Sequence, residues 1–150
     1  PDLAPYVGRA PGGGLSWPIQ KGAIKALQDG YPFVEAMRAE YKERIDYTTK
    51  RFNEMPGIKC PKPEGAFYMF PCIEGTGMTS GEFVKGLAEE QKVTAIPGAS
   101  YGEANGEGNV RFSLIRPLSN SKMPSWFEHK KGYMLEDAMD RIEKFVLSHA

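Results

Sequence analysis

The sequence has little cysteine, no excess of either charge and no long apolar run. Its two cysteines, Cys60 and Cys72, lack the C-x-x-C spacing of a metal or redox motif, so we predict no metal site. Two cysteines also make no disulfide framework, and we expect free thiols in a reducing, cytoplasmic environment. The 19 basic residues balance 19 acidic ones, which argues against a polybasic nucleic-acid surface and against an acidic tail.

Apolar runs are too short for a membrane span, which needs about 20 consecutive apolar residues. The first ten residues, PDLAPYVGRA, lack the charged and apolar regions of a secretory signal. We therefore expect neither nucleic acid nor membrane as a partner. What is present is 150 residues, enough for one domain with its own core or for part of a larger one.

Apolar periodicity, interrupted by glycine and proline, predicts alternating helices and short strands after an irregular arm at residues 1–15. The predicted order is helix, long helix, strand, helix, strand, strand, helix. This order is typical of an α/β (α+β) fold in which helices pack on a small sheet of short strands. The predicted elements are helices from Ser16 to Gly30, from Pro32 to about Asn53, from Thr79 or Ser80, and from about Met134 to Leu147, and strands at 66–70, 93–96 and 110–114.

The predicted strand at 110–114 carries an arginine on its polar face. Val110, Phe112 and Leu114 alternate with Arg111 and Ser113, which is the period of a half-buried strand. The face that bears Arg111 is either in solvent or forms a site for a carboxylate, and the alternation alone does not choose between them.

Other patterns give no catalytic assignment. The stretch GTGMTS at 75–80 lacks the third glycine of the dinucleotide fingerprint. The stretch GEANGEG at 102–108 carries two glutamates, which would repel an anion, and it predicts a mobile turn. His129 and His149 have no serine or cysteine arranged for nucleophilic work, and we expect both to be solvated.

Three segments carry a resemblance when they are taken in order. They are SWPIQKGAIKALQDG with the long helix after it (16–53), KPEGAFYMFP (62–71) and TAIPGASYGEANGEGNVRFSL (94–114). Together they resemble the C-terminal part of a class I/II aminotransferase of pyridoxal-phosphate fold type I. The family pattern there is P-x-G-A-F-Y, then P-G-x-x-F/Y-G, then a glycine-rich turn and x-R-x-S.

The resemblance implies a role for Arg111. In the family, the arginine of the R-x-S strand binds the α-carboxylate of the amino-acid substrate, and a guanidinium presents a planar fork that matches a carboxylate. The resemblance also places Phe67 and Tyr68 on the substrate side of the small domain, where one ring would face the pocket. The alternatives are an ordinary surface arginine and two rings packed in the core.

The resemblance further implies pyridoxal phosphate as the cofactor of a longer parent protein. The family needs a lysine that forms a Schiff base with this cofactor, and the one Ser-Lys pair here, Ser121–Lys122, lies on the wrong side of Arg111. We therefore expect no catalytic lysine, no cofactor-binding residue and no bound cofactor in this chain, which alone would be inactive.

The resemblance divides the chain into two regions. Residues 1–30 would be an arm and helix that border a missing large domain, and residues 31–150 would be the small domain. The parent would be a homodimer that exchanges an amino group between an amino acid and a 2-oxo acid.

Two other functions remain open on the sequence. One is a stand-alone amino-acid-binding regulatory domain, in which Arg111 binds an effector carboxylate without catalysis. The other is an interaction domain whose anchor is Trp126–Phe127, within an insertion at 119–133.

Overall fold

The computed structural model describes residues 16–121 and 134–149. Four sequence features lie outside these ranges: the arm at 1–15, Lys122, the pair Trp126–Phe127 and His129.

The chain divides into two compact units, Pro1–Glu35 and Ala36–Ala150. The predicted order of elements is confirmed among the described residues, with one short α-helix and two short 3₁₀ helices added. The helices are α1 (Trp17–Asp29), α2 (Tyr31–Glu54), α3 (Ser80–Gln91), the short α4 (Glu103–Gly106) and α5 (Leu135–Ser148), and the strands are β1 (Tyr68–Met69), β2 (Ile96–Pro97) and β3 (Val110–Ser113).

The first unit contains α1, which begins with a proline in its first turn and ends at Gly30 as predicted. Ser16 precedes the helix without a side-chain capping bond. No residue of α1 is buried: Trp17 is 68% exposed and Leu27 is 87% exposed. The apolar stripe that predicted the helix is therefore exposed.

In the second unit, a three-stranded antiparallel sheet has the order β1-β3-β2. Tyr68 pairs with Ser113, and Ile96 pairs with Arg111. β1 covers two residues of the predicted strand at 66–70, whereas β2 overlaps the predicted strand at 93–96 only at Ile96 and extends to Pro97. The central strand is therefore the one that carries Arg111.

Alternation along β3 separates the core from the opposite face. Val110 and Phe112 are buried, Arg111 is half-buried and Ser113 is exposed, as the period of two predicts. The Phe112 ring lies 5.2 Å from that of Phe52 on α2, which attaches the long helix to the sheet. Other fully buried side chains of this core include Met69, Phe83, Leu87, Met139 and Phe145.

Two helices of the second unit approach each other closely at a glycine. A Cβ at Gly86 of α3 would lie 2.8 Å from the Phe145 ring of α5, so only glycine leaves room for that ring. The Phe145 ring also packs edge-on against Phe83, at 5.2 Å between centroids. These contacts fix α3 and α5 together in the core.

Candidate functional site

Arg111 lies on the face of β3 opposite Phe112, between two tyrosine rings. Its Cζ is 4.5 Å from the centroid of the Tyr68 ring and 5.0 Å from that of the Tyr101 ring. Its Nε is buried and has no hydrogen-bond partner in the described part of the chain. Because a buried donor without an acceptor is unfavourable, this position favours binding of an acceptor group.

The two ring contacts leave the guanidinium able to bind an anion. A cation–π contact uses the electrostatic attraction between the cation and the face of a ring. The N–H donors of Arg111 lie in the guanidinium plane, in a fork whose spacing matches a carboxylate. The rings also hold a long side chain that otherwise samples many rotamers, so less conformational entropy remains to be lost on binding.

Phe67 and Tyr68 lie next to each other beside this site, and neither ring is in the core. They are 36% and 38% exposed, and their ring centroids are 4.4 Å apart. The Tyr68 ring contacts Arg111, whereas the Phe67 ring lies 5.8 Å from that of Tyr41 on α2. The GAFY segment thus joins the arginine to the long helix.

A strained residue precedes these rings. Ala66 has a φ of 62°, which lies in the left-handed region that residues with a Cβ rarely adopt. This conformation costs an L-residue about 1–2 kcal/mol. This bend lies just before β1 in the chain. It explains why the predicted strand at 66–70 does not begin at Ala66.

Sequence reasoning missed Tyr101, which supplies the second ring over Arg111. Tyr101 ends a turn of 3₁₀ helix, Gly98–Tyr101, that follows β2 directly. The Gly98 amide donates to the Asn109 carbonyl at 2.8 Å, and this bond holds the turn against the start of β3. The aromatic in P-G-x-x-Y-G was visible in the sequence, but its distance from Arg111 was not.

A cavity of about 430 Å³ borders Arg111. The described residues that line it include three further cations, Lys92, Arg116 and Arg141. No aspartate or glutamate is among these lining residues. The amine of Lys92 donates to the Glu89 carbonyl at 2.7 Å, so part of this charge is engaged by backbone. The surroundings of Arg111 are therefore electropositive and favour an anionic ligand.

The N-terminus of α3, which follows GTGMTS, is occupied by the chain itself. Thr79 and Glu82 form a capping box, and the Glu107 carboxylate accepts from the Ser80 amide at 2.6 Å. The pKa of Glu107 is lowered mainly by this bond from the Ser80 amide and next by a bond from the Gly108 amide. The 102–108 stretch is thus not the turn that was predicted: it contains the short helix α4, and Glu107 satisfies the donors that a phosphate would use.

The two thiols are free, as predicted. Burial raises the pKa of Cys60 to about 11, so this cysteine is not a thiolate nucleophile at neutral pH. Across residues 16–121 and 134–149, no group of three or more His, Cys, Asp or Glu side chains is placed to hold a metal ion. None of the helices described in these ranges combines the length and apolar character that a membrane crossing requires.

His149 is exposed, as expected, and its side chain also makes contacts with Glu90 and Phe145. Its Nε2 lies 3.3 Å from a Glu90 carboxylate oxygen, and its ring packs 4.5 Å from the Phe145 ring. These contacts form because α5 packs against α3, which carries Glu90. The contact attaches the end of one helix to another and lies apart from the rings around Arg111.

Comparison with known proteins identifies relatives of this chain. The sequence profile of the family described as "Aminotransferase class I and II" matches residues 10–123. Aromatic-amino-acid aminotransferase 2 of Thermococcus litoralis is 43% identical over 130 residues, which is 85% of this chain and 29% of that protein. An aspartate aminotransferase of Pyrococcus abyssi is 44% identical over 130 residues, with the same two shares.

A solved aminotransferase structure has a similar fold. The structure of an aromatic aminotransferase from Pyrococcus horikoshii superposes with a TM-score of 0.71 and 40% sequence identity. The superposition covers 87% of this chain and 31% of that one. The chain therefore spans about 29% of the length of the curated relatives it matches.

Proposed function

Because the chain belongs to the class I and II aminotransferase family, we propose that it is the small domain of a pyridoxal-phosphate-dependent aminotransferase. In this proposal Arg111 binds the α-carboxylate of the substrate. The intact protein exchanges an amino group between an amino acid and a 2-oxo acid, and the residues that hold the cofactor belong to the rest of that protein.

The observation that carries the proposal is the placement of Arg111. Its guanidinium lies against two rings, its Nε lacks a partner among the described residues, and the adjoining cavity, whose lining is mostly apolar, includes three further cations. A strand holds the arginine more firmly than a loop would, so the substrate Cα is presented at a fixed angle. A bound carboxylate would neutralise the charge and supply the missing acceptor.

The described residues do not fit pyridoxal phosphate itself. The cofactor is held through an amine of the protein, and the amine of Lys92, the lysine that lines the cavity beside Arg111, donates to the Glu89 carbonyl at 2.7 Å instead. We therefore assign no cofactor-binding residue to this chain, and its part in the reaction is to hold the substrate. Phe67 and Tyr68 are assigned to the wall of the substrate site.

The parent protein is further proposed to be a cytoplasmic homodimer. In it, the small domain moves toward the large domain when Arg111 engages the substrate carboxylate. Such closure would exclude water from the reacting groups, which strengthens every electrostatic interaction in the site.

The test is Arg111→Gln in the intact protein. The probes are two amino acids with the amines that lack their α-carboxylate: L-phenylalanine with phenethylamine, and L-aspartate with β-alanine. For whichever amino acid reacts faster, the variant should lower kcat/KM by about 100-fold, since a hydrogen-bonded charge pair contributes about 1.5–3 kcal/mol. The kcat/KM for the corresponding amine should change by less than about threefold, because the amine has no α-carboxylate to pair with Arg111.

The matched control is Arg141→Gln. This arginine lines the same cavity but donates to the Gln91 carbonyl at 3.5 Å, and its substitution should leave the amino acid-to-amine ratio unchanged. An Arg111→Gln enzyme that keeps the ratio of the unmodified protein would overturn the carboxylate role.

A further inference from the structure

Arg44 of α2 is a buried arginine that sequence reasoning did not single out. Its side chain is 6% exposed, and that of its partner Glu40 is 8% exposed. The Arg44 Nε and Nη2 both contact Glu40 Oε1, at 2.9 and 2.8 Å. Removing both charges from water is unfavourable, and a well-packed apolar pair is often at least as stable. The pair therefore calls for an explanation other than stability.

The remaining donors of Arg44 reach the end of the strand that carries Arg111. Nη1 donates to the Leu114 carbonyl at 2.9 Å and to the Ile115 carbonyl at 3.3 Å. The Leu114 amide donates in turn to the Phe67 carbonyl at 2.8 Å. One guanidinium thus ties α2 to the last residue pair that joins β3 with the GAFY segment.

A second connection runs through rings. The Arg44 Cζ lies 4.9 Å from the centroid of the Tyr41 ring, which is 5.8 Å from the Phe67 ring. Phe67 contacts Tyr68, and Tyr68 contacts Arg111. The backbone connection and the ring connection both begin at Arg44 and both end at the candidate site.

We propose that Arg44, held by Glu40, is a positioning residue that sets the orientation of the Arg111 guanidinium. This inference rests on the proposed function, because it assumes that Arg111 binds the substrate carboxylate. Arg44 touches no substrate: it fixes the backbone three residues beyond Arg111 and, through Tyr41 and Phe67, supports one of the two rings over Arg111, that of Tyr68. The Glu40 carboxylate keeps the Arg44 guanidinium in the orientation that reaches the Leu114 and Ile115 carbonyls.

Lysine cannot replace arginine at this position. A planar fork serves one carboxylate and two carbonyls at fixed angles, whereas an ammonium is a single point charge on a flexible stem. Arg44→Lys keeps the charge and most of the volume but loses this geometry. Because a displacement of about 1 Å far from the reacting atoms can lower a rate about 100-fold, a loss of orientation at Arg111 is measurable.

The experiment compares the intact protein with Arg44→Lys, using the amino acid and amine pair chosen above. We expect kcat/KM for the amino acid to fall about tenfold, while that for the amine changes by less than about twofold. In an Arg111→Gln background the same substitution should leave the ratio of kcat/KM for the amino acid to kcat/KM for the amine unchanged, because the guanidinium that Arg44 orients is gone. If Arg44→Lys does not fold, the same kcat/KM measurements are made on Glu40→Gln, which is isosteric.

The matched control is Arg51→Lys on the same helix. Arg51 also joins α2 to another element, through Asp140 and Glu143 of α5 at 2.8 and 3.0 Å, but it touches no member of the ring series. Its substitution should change thermal stability and leave the ratio unchanged.

The outcomes are distinguishable. A ratio that Arg111→Gln lowers and Arg44→Lys does not would overturn the positioning role alone. An equal fall on Arg44→Lys with and without Arg111 would also overturn it. A ratio that Arg111→Gln leaves unchanged would overturn the proposed function and, with it, this inference.

Discussion

Gly98 is held at a position where the backbone of two segments meets. A Cβ there would overlap the Gly106 carbonyl and lie 2.5 Å from the Asn109 carbonyl oxygen. Backbone atoms on both sides cannot move aside as a flexible side chain would. The turn that begins at Gly98 positions Tyr101 over Arg111.

We therefore expect Gly98→Ala to lower the free energy of unfolding by about 3 kcal/mol, as overpacking substitutions do. Thermal denaturation followed by circular dichroism measures this change. Gly81→Ala in α3 is the control, because a Cβ there meets nothing within 4 Å, and alanine in a helix should add up to about 1 kcal/mol. Equal midpoints for the two variants would show that the close approach at Gly98 does not exist.

Arg111 and Arg44 show what local pattern reveals at this scale. The period of two along β3 was enough to place Arg111 on the face away from the core. Arg44 gave no such signal, because a basic residue four positions after an acidic one is usual on a solvated helix face. Its partners at Leu114 and Ile115 are 70 and 71 residues away, so its burial depends on how α2 packs against the sheet.

At the scale of elements, α3 begins with an electrostatic contact between distant segments. The Glu107 carboxylate accepts from the Ser80 amide and hydroxyl, at 2.6 and 3.0 Å, at the positive end of the helix. The sequence predicted the start of α3 at residue 79 or 80, which is confirmed. It did not predict Glu107 as a partner, because that residue comes from the segment after α4.

The lowered pKa of Glu107 makes this contact depend on pH. The contribution to stability is fully present above the ordinary pKa of a glutamate and is lost as the pH falls through the lowered pKa of the folded state. We expect Glu107→Gln to lower the unfolding midpoint at pH 7. The difference from the unmodified chain should shrink below about pH 4.5 and vanish in stronger acid.

Glu64→Gln, an exposed position in the segment before β1, is the control for Glu107→Gln and should leave the midpoint at pH 7 unchanged. A difference between Glu107→Gln and the unmodified chain that stays constant from pH 7 to pH 3 would contradict the role of the Glu107 charge.

At the scale of the whole molecule, the first unit exposes apolar side chains that a stable monomer would cover. Trp17, Ile24 and Leu27 recur at spacings of seven and three along α1, which brings them toward one side of the helix, and they are 68%, 47% and 87% exposed. The proposed function accounts for this surface as one that borders the rest of a longer protein. In the 150-residue chain alone, the same surface is open to a second copy.

We therefore expect the isolated chain to self-associate, and Ile24→Gln with Leu27→Gln to weaken that association by at least about tenfold. Glutamine is a good helix former, so the helix itself should persist. Sedimentation over a range of concentrations measures the effect. Leu147→Gln, at an apolar position of α5 that is 59% exposed, is the control, and an equal effect there would show that α1 is not the interface.

The sequence by itself determined the four long helices, though not the short α4, and the face of its strand on which Arg111 lies, because apolar periods act over a few neighbouring positions. The family followed from three ordered motifs and is confirmed by the profile match. Only the tertiary structure decided which groups lie near that arginine, the Tyr101 ring and a cavity that includes three further cations, and which residue, Arg44, holds the backbone beyond it. These contacts join segments that are far apart in the chain, and strand register and helix packing, which no local pattern encodes, bring them together.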